Sequence, residues 1–303
     1  MPIQDIPNSS EFFYMGVEHI MIGYDGIIEL SDPLIKYMEY EDPEGEVEFW
    51  ESARLKLLVY TGLIHEGFDF ILKSKICDVN PLLLIKNNPK ELRNKKSFSD
   101  CLTHNSSDLP DIVNSFCTKP LDKRFLELFE LGRNRRNKIR HSVDKNLKVQ
   151  AEEIIKETLE MFSFVSPKKW VEVRLQYAEE DEVLNLYAAE IDFYRGKLVK
   201  EFIVLDNLLK PDFFKKHFGV DKNQERFLCF DCVNLDYVEE VETAYLIKKD
   251  NQKFTKCMIC DNEDKIAPND FDHEGCECKY YSVEHGQCIC CGGSVPPVFS
   301  NKI

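Results

Sequence analysis

Nine of the chain's twelve cysteines fall between Cys229 and Cys291, and that clustering constrains the fold more than any other feature. The nine are Cys229, Cys232, Cys257, Cys260, Cys276, Cys278, Cys288, Cys290 and Cys291, whereas the first 228 residues hold only Cys77, Cys101 and Cys117. In a reducing compartment, clustered CxxC pairs act as metal ligands rather than as disulfides. At 303 residues the chain has room for about two domains. The expectation is therefore a large body followed by a small metal-stapled domain.

Cys229-Phe-Asp-Cys232 and Cys257-Met-Ile-Cys260 are two knuckles separated by 24 residues. Each presents two thiolates to one ion, and two knuckles complete a tetrahedron. The intervening VETAYLIKK reads as a strand. Cys276 and Cys278, in CxC spacing, precede a third knuckle, Cys288-x-x-Cys291-Gly-Gly. The economical count is two structural zinc ions: Cys229, Cys232, Cys257 and Cys260 for one, and Cys276, Cys278, Cys288 and Cys291 for the other. An alternative pairs Cys257 and Cys260 with Cys288 and Cys291, leaving Cys229 and Cys232 with Cys276 and Cys278. His273, His285 or Cys290 are further candidates to replace a thiolate, and an iron–sulfur cluster is the alternative to zinc. All-thiolate zinc sites are closed and structural rather than catalytic. The stretch from Asp261 to Glu277 is strongly acidic, which favours a protein contact or a structural role over a grip on phosphate.

The hydrophobic share of 43% and charged share of 31% describe an ordinary globular chain. No apolar run approaches the ~18 residues that span a bilayer, and no secretory leader is evident, so the expectation is a cytoplasmic protein without a membrane partner. The net charge of −15 opposes nucleic acid at long range. Residues 119 to 150 run against that balance: ten Lys and Arg face four acids there, a local charge of +6, while the rest of the chain carries −21.

Periodicity predicts a mainly α fold with a small α+β or β zinc-binding domain at its end. Residues 1–45 form a mixed extension in which HIMIGYDGIIEL, His19 to Leu30, fits a hairpin. Residues 46–166 are expected to be a helical bundle, opening on a long apolar Pro-free stretch from Glu46. A second helix would start near Pro120, with Phe125, Leu128, Phe129 and Gly132 at the spacing of a buried stripe. A third, AEEIIKETLEMF, repeats that spacing through Ala151, Ile154, Ile155, Thr158, Leu159 and Phe162. In residues 167–227, Val171, Val173, Leu175 and Tyr177 alternate with polar residues as in a strand, and Val183 to Leu209 fits a helix. Residues 228–303 are the cysteine-rich domain. Cys77, Cys101 and Cys117 read as isolated buried thiols, and His65 as a packed histidine of the long helix.

Extending the buried stripe forward lands on Arg136 and Ile139. A guanidinium facing a bundle interior or a second subunit is costly without a partner. Asn137 and His141, four apart, share the next face. A permanent cation, an amide and an imidazole around one helix end suit a phosphodiester: imidazole moves the proton, and arginine counters charge on the phosphoryl oxygens. RNA supplies its own nucleophile, the 2′-OH. The bland reading is a solvated basic face with His141 as a C-terminal cap.

At Arg136-Asn137-Lys138-Ile139-Arg140-His141 the sequence resembles the HEPN superfamily, whose signature is Arg, four to six residues, then His, usually with a polar residue after the Arg. Arg135 fits with five intervening residues but lacks the polar follower. The resemblance covers about residues 45 to 165. It implies a helical bundle that dimerises with two signatures meeting at the interface, and a metal-independent endoribonuclease of the toxin–antitoxin or antiviral-defence kind. RNA is then the substrate, Arg136, Asn137 and His141 the catalytic residues, and a regulatory protein a possible partner. Some members carry Tyr two residues after the His; Val143 stands there in this chain. The competing expectation is a non-catalytic zinc-containing helical interaction protein; a zinc-dependent DNA regulator is disfavoured by the acidity.

Overall fold

The computed structural model describes residues 3–37, 43–86, 96–141, 149–180, 192–233, 241–268 and 276–295. The chain divides into two compact units, Met1–Pro167 and Lys168–Ile303.

The first unit is helical. Helix α1 spans Ser9–Tyr37 and α2 spans Pro43–Val79. The start of α1 is set by a reciprocal cap: Glu11 N–H donates to Asn8 Oδ1 at 2.9 Å, and Asn8 N–H donates to Glu11 Oε2 at 2.7 Å. Residues His19 to Leu30, expected as a hairpin, lie inside α1. The glycines there serve helix packing rather than a turn. A β-carbon on Gly16 would lie 2.8 Å from the Gly67 carbonyl oxygen, and one on Gly23 would lie 2.7 Å from that of Tyr60, so α1 and α2 run antiparallel almost backbone to backbone.

Helices α3 (Leu109–Phe116), α4 (Lys123–His141) and α5 (Ala151–Val165) complete this unit, and α2 packs against all of them. Strands β1 (Ile3–Gln4) and β2 (Lys96–Ser97) add a two-residue parallel pair. Helix α4 begins three residues after Pro120, where the Asp122 carboxylate accepts from Arg124 N–H at 2.7 Å. Its apolar stripe, Phe125, Leu128 and Phe129, is buried as the spacing predicts, and so are Ala151, Ile154, Ile155, Thr158, Leu159 and Phe162 of α5. Phe125 stacks on Phe129 and meets Phe68 of α2 edge-on, which fixes α4 to α2. The break after His141, including Val143, lies outside the described residues.

The second unit opens with helices α6 (Trp170–Glu180), α7 (Asp192–Leu208) and α8 (Pro211–Phe218). The strand expected over residues 171–177 is therefore a helix. Its alternation conceals a helical face, because Trp170, Val173 and Arg174 are the buried positions. Arg174 Nε and Trp170 Nε1 both donate to Glu201 of α7, each at 2.8 Å, so the buried cation is paired. Residues 181–191, the start of the expected Val183 to Leu209 helix, lie outside the described residues.

A five-stranded antiparallel meander follows in sequence order: β3 (Arg226–Leu228), β4 (Glu242–Lys249), β5 (Gln252–Cys257), β6 (Glu263–Pro268) and β7 (Tyr280–Ser282). A short helix, α9 (Phe230–Val233), interrupts it after β3. Asp250 and Asn251, at φ 48° and 63°, make the left-handed two-residue turn that joins β4 to β5. The chain is thus mainly helical, with a small strand region that carries the clustered cysteines.

Candidate metal centres and the Arg136 cluster

The first thiol group is built where two turns face each other. Cys229 follows β3 and Cys232 lies in α9, while Cys257 ends β5 and Cys260 closes the turn after it. All four Sγ atoms lie within 4.8 Å of one another. Cys229 Sγ is 3.6 Å from Cys260 Sγ, and Cys232 Sγ is 3.9 Å from Cys257 Sγ. A tetrahedral ion with sulfur ligands at about 2.3 Å would place them about 3.8 Å apart. The four thiols are thus close enough together to hold one metal ion.

The surroundings suit thiolates. Ile259 N–H and Cys260 N–H point at Cys257 Sγ from 3.3 and 3.5 Å, and Thr243 Oγ1 lies 3.4 Å from it. Asn262 Nδ2 donates to Asp231 Oδ2 at 2.7 Å, tying one turn to the other. Hydrogen bonds from Cys229, Cys232 and Cys260 hold the Cys257 thiol well below its ordinary value. Hydrogen bonding with Cys229, Cys257 and Cys260, and then burial, push Cys232 up. The four close thiols thus compete for one another's protons. A divalent cation among the four sulfurs removes that conflict.

The second thiol group is more open. Cys276, Cys288 and Cys291 lie together, and so do Cys278, Cys288 and Cys290, with Cys288 common to both. The set Cys276, Cys278, Cys288 and Cys291 is therefore not drawn together as four. Among the described residues, Cys257 and Cys260 group with Cys229 and Cys232 and not with Cys288 and Cys291, so the alternative pairing is set aside. His285 meets Phe230 in a tilted ring contact, centroids 5.1 Å apart, and joins neither group. His273 lies outside the described residues. Every described cysteine is a free thiol.

In the helical unit, Arg136 of α4 is buried, and its NH1 donates to Asp69 Oδ2 of α2 at 2.6 Å. Asp69 Oδ1 also accepts from Ser106 Oγ at 2.6 Å. One turn before Asp69, His65 is 3% exposed, with Nε2 3.0 Å from the Phe129 carbonyl oxygen and Nδ1 3.8 Å from Asp69 Oδ1. Arg136 Nε and His65 Nδ1 are both buried without a hydrogen-bond partner. Gly132 lets α4 approach this close: a β-carbon there would sit 2.7 Å from His65 Cδ2. Burial pulls the His65 imidazole down to about 4; Asp69 opposes that fall and Arg136 adds to it. His65, Asp69 and Ser106 were not singled out as site residues from sequence. The one local signal was a His and an Asp four apart inside an apolar helix.

Asn137 is half-buried beside Arg136. His141 is the last residue of α4, and its side chain lies outside the described part of the structure. Much of the basic stretch is internally paired: Arg133 with Glu130, Arg135 with Glu157, and Arg124 with Glu160. Glu130 already counts within residues 119 to 150, so their excess of +6 is offset in part from outside the stretch, by Glu157 and Glu160 of α5 and Asp69 of α2. The sequence matches no protein-family model, and neither a curated protein nor a solved structure is found similar to the chain.

Proposed function

We propose that this chain is a HEPN-type, metal-independent endoribonuclease whose C-terminal region is held together by two structural zinc ions. The zinc half rests on the four sulfurs of Cys229, Cys232, Cys257 and Cys260, which lie within 4.8 Å of one another in a largely buried site. Four thiolates at tetrahedral spacing suit zinc, and the closed ligand set leaves no position for catalysis. When bound, zinc supplies cross-linking of the turns and no step of RNA chemistry.

The nuclease half is supported by the fixing of Arg136. The residue at the first signature position is not on a solvated face; it is buried and locked by Asp69. A guanidinium held in one place is preorganised to meet charge developing on phosphoryl oxygens. In the proposed reaction the substrate's 2′-oxygen attacks phosphorus, and the bond to the 5′-oxygen breaks. The 2′-OH proton goes to a base, the leaving oxygen gains a proton, and a 2′,3′-cyclic phosphate remains. His141 moves the proton, Asn137 orients the phosphodiester, and a second copy of the chain brings a second signature alongside.

The test is cleavage of single-stranded and structured RNA by the wild type and by His141→Ala in buffer without added metal. Cleavage by the wild type alone, with zinc content and far-UV spectrum unchanged in the variant, is the expected result. Equal cleavage by both removes His141 from the reaction. A second reading, a non-catalytic zinc-containing interaction protein, is favoured by the pairing of the neighbouring Arg133, Arg135 and Arg124 with Glu130, Glu157 and Glu160. Absence of cleavage by both proteins, with partner binding lost on Cys257→Ser, would establish it.

A further inference from the structure

The second thiol group holds five cysteines where a tetrahedral ion takes four. Two of the three CxxC turns in this region share one backbone geometry, which shows the place Cys290 takes in it. After β5, Cys257 N–H donates to the Asn262 carbonyl at 2.9 Å, five residues on, and Asp261 adopts a left-handed φ of 59°. After β7, Cys288 N–H donates to the Gly293 carbonyl at 2.9 Å, again five residues on, and Gly292 adopts a φ of 67°. The two turns are the same device. Cys288 and Cys291 correspond to Cys257 and Cys260, and Cys290 stands where the first turn has Ile259, which is not a ligand.

Cys290 is nevertheless not remote from the sulfurs. It lies within 4.8 Å of Cys278 and Cys288, while Cys276 and Cys291 lie equally close to Cys288 on their own account. Cys276 Sγ is 3.8 Å from Cys288 Sγ, the edge length of a zinc–thiolate tetrahedron. Cys278 and Cys290 both pack against the apolar cluster of Phe227, Leu228, Phe230, Ile266 and Ile289. Neither groups with Cys276 and Cys291 together, but both reach the shared Cys288 sulfur, so each is a candidate for the fourth position beside that triad.

We propose that this group is a labile metal site with a reserve ligand: one thiophilic divalent cation rests on Cys276, Cys288 and Cys291, and its fourth position exchanges between Cys278 and Cys290. The inference rests on the zinc half of the reading above and is independent of any nuclease activity. Exchange is a substitution: one metal–sulfur bond forms as another breaks, and the displaced thiolate takes up a proton. No oxidant or reductant takes part. Burial separates this site from the first. Cys229, Cys232 and Cys257 are buried and Cys260 half-buried, whereas here Cys288 alone is buried and Cys291 is exposed. A chelator therefore reaches the second ion first.

The experiment is zinc stoichiometry by native mass spectrometry on the full chain, repeated with Co2+ so that thiolate-to-metal absorption reports the ligand set. Wild type, Cys278→Ser and Cys290→Ser are each expected to hold two ions. Cys278→Ser/Cys290→Ser and Cys288→Ser are expected to hold one, with the cobalt spectrum of the first site intact as evidence of folding. EDTA is expected to empty the wild type in two phases. Two ions in the wild type with one in either single variant would make that cysteine obligatory and overturn the reserve ligand. Two ions in the double variant would overturn it as well, and three in the wild type would replace it with a bridged pair of metals. Fewer than two ions in the wild type would instead overturn the two-zinc reading itself.

Discussion

The His65 ring has one hydrogen bond that fixes its tautomer. Because the Phe129 carbonyl can only accept, Nε2 carries the proton and Nδ1 presents a lone pair. That lone pair is buried, unpartnered and 3.8 Å from a carboxylate oxygen. Protonation would satisfy it, yet burial dominates and holds the folded-state pKa near 4. The linkage sign follows. The unfolded chain takes a proton at about 6.5, whereas the folded chain resists until about 4, so the neutral ring's contribution is complete above 6.5 and is lost as pH falls towards 4. A shift of this size corresponds to about 3 kcal/mol across the window. Urea denaturation of wild type and His65→Gln at several pH values checks this, since carboxylates and His217 contribute equally to both proteins. The wild-type curve is expected to fall more steeply between pH 6.5 and 4; parallel curves would refute the assignment. At this scale the sequence was partly legible. The stripe through Phe125, Leu128, Phe129 and Gly132 pointed Arg136 inward and demanded a partner. It could not name Asp69, because the pairing joins residues 67 positions apart and depends on how α2 and α4 cross.

The pairing of α1 with α2 depends on small residues at the crossing. At Gly67 a β-carbon would lie 2.5 Å from Ile20 Cγ1 and 2.6 Å from the Gly16 carbonyl oxygen, and backbone cannot yield as a flexible side chain can. Gly67→Ala and Gly23→Ala are therefore expected to destabilise the protein by roughly 1–3 kcal/mol through overpacking. Gly62, in the middle of the same helix, has nothing within 4 Å of the position a β-carbon would take. Gly62→Ala is expected to stabilise by about 0.5–1 kcal/mol, the difference in helix propensity. Thermal melts of the three variants settle the contrast, and a gain at Gly67 or a loss at Gly62 would contradict it. The same glycines explain why α1 was misread. In Tyr-Asp-Gly a glycine between apolar runs signals a turn as readily as a close helix contact, and the distinction lies in a partner helix some forty residues away. The decisive local signal was present: Asn8-Ser-Ser-Glu11 has the spacing of a reciprocal cap, and the structure uses both of its bonds. The 171–177 segment failed for a related reason. Apolar residues at every second position include pairs four apart, and burial of Trp170, Val173 and Arg174 shows that the helical period prevailed.

At the scale of the molecule, each of the two units has its own internal source of stability. In the first, long helices bury Phe68, Phe125, Phe129, Phe162 and Tyr24 almost completely. The strand region of the second has a far smaller cluster, Phe227, Leu228, Phe230, Ile266 and Ile289, beside which lie the two thiol groups. Small cores of this kind are ordinarily marginal without staples, and a structural zinc site supplies binding energy that is folding energy, on the order of 10 kcal/mol in isolated modules. The cysteine spacing carried this division because ligand geometry is local: two residues between thiols bring both sulfurs to one ion whatever surrounds them. It did not carry the grouping of Cys278 and Cys290 around Cys288, which depends on how β7 and the last turn fold back. Removing metal should therefore unfold one region and spare the other. With bound metal stripped by a strong chelator under reducing conditions, hydrogen exchange read peptide by peptide is expected to show amides of β4 and β5 losing protection by orders of magnitude, while those of α2, α4 and α5 remain protected. Re-addition of zinc should restore the strands. Unchanged protection of β4 and β5 in the metal-free protein would mean that the apolar cluster holds the strands unaided, and simultaneous loss in α2 would mean that the helical core depends on the metal as well.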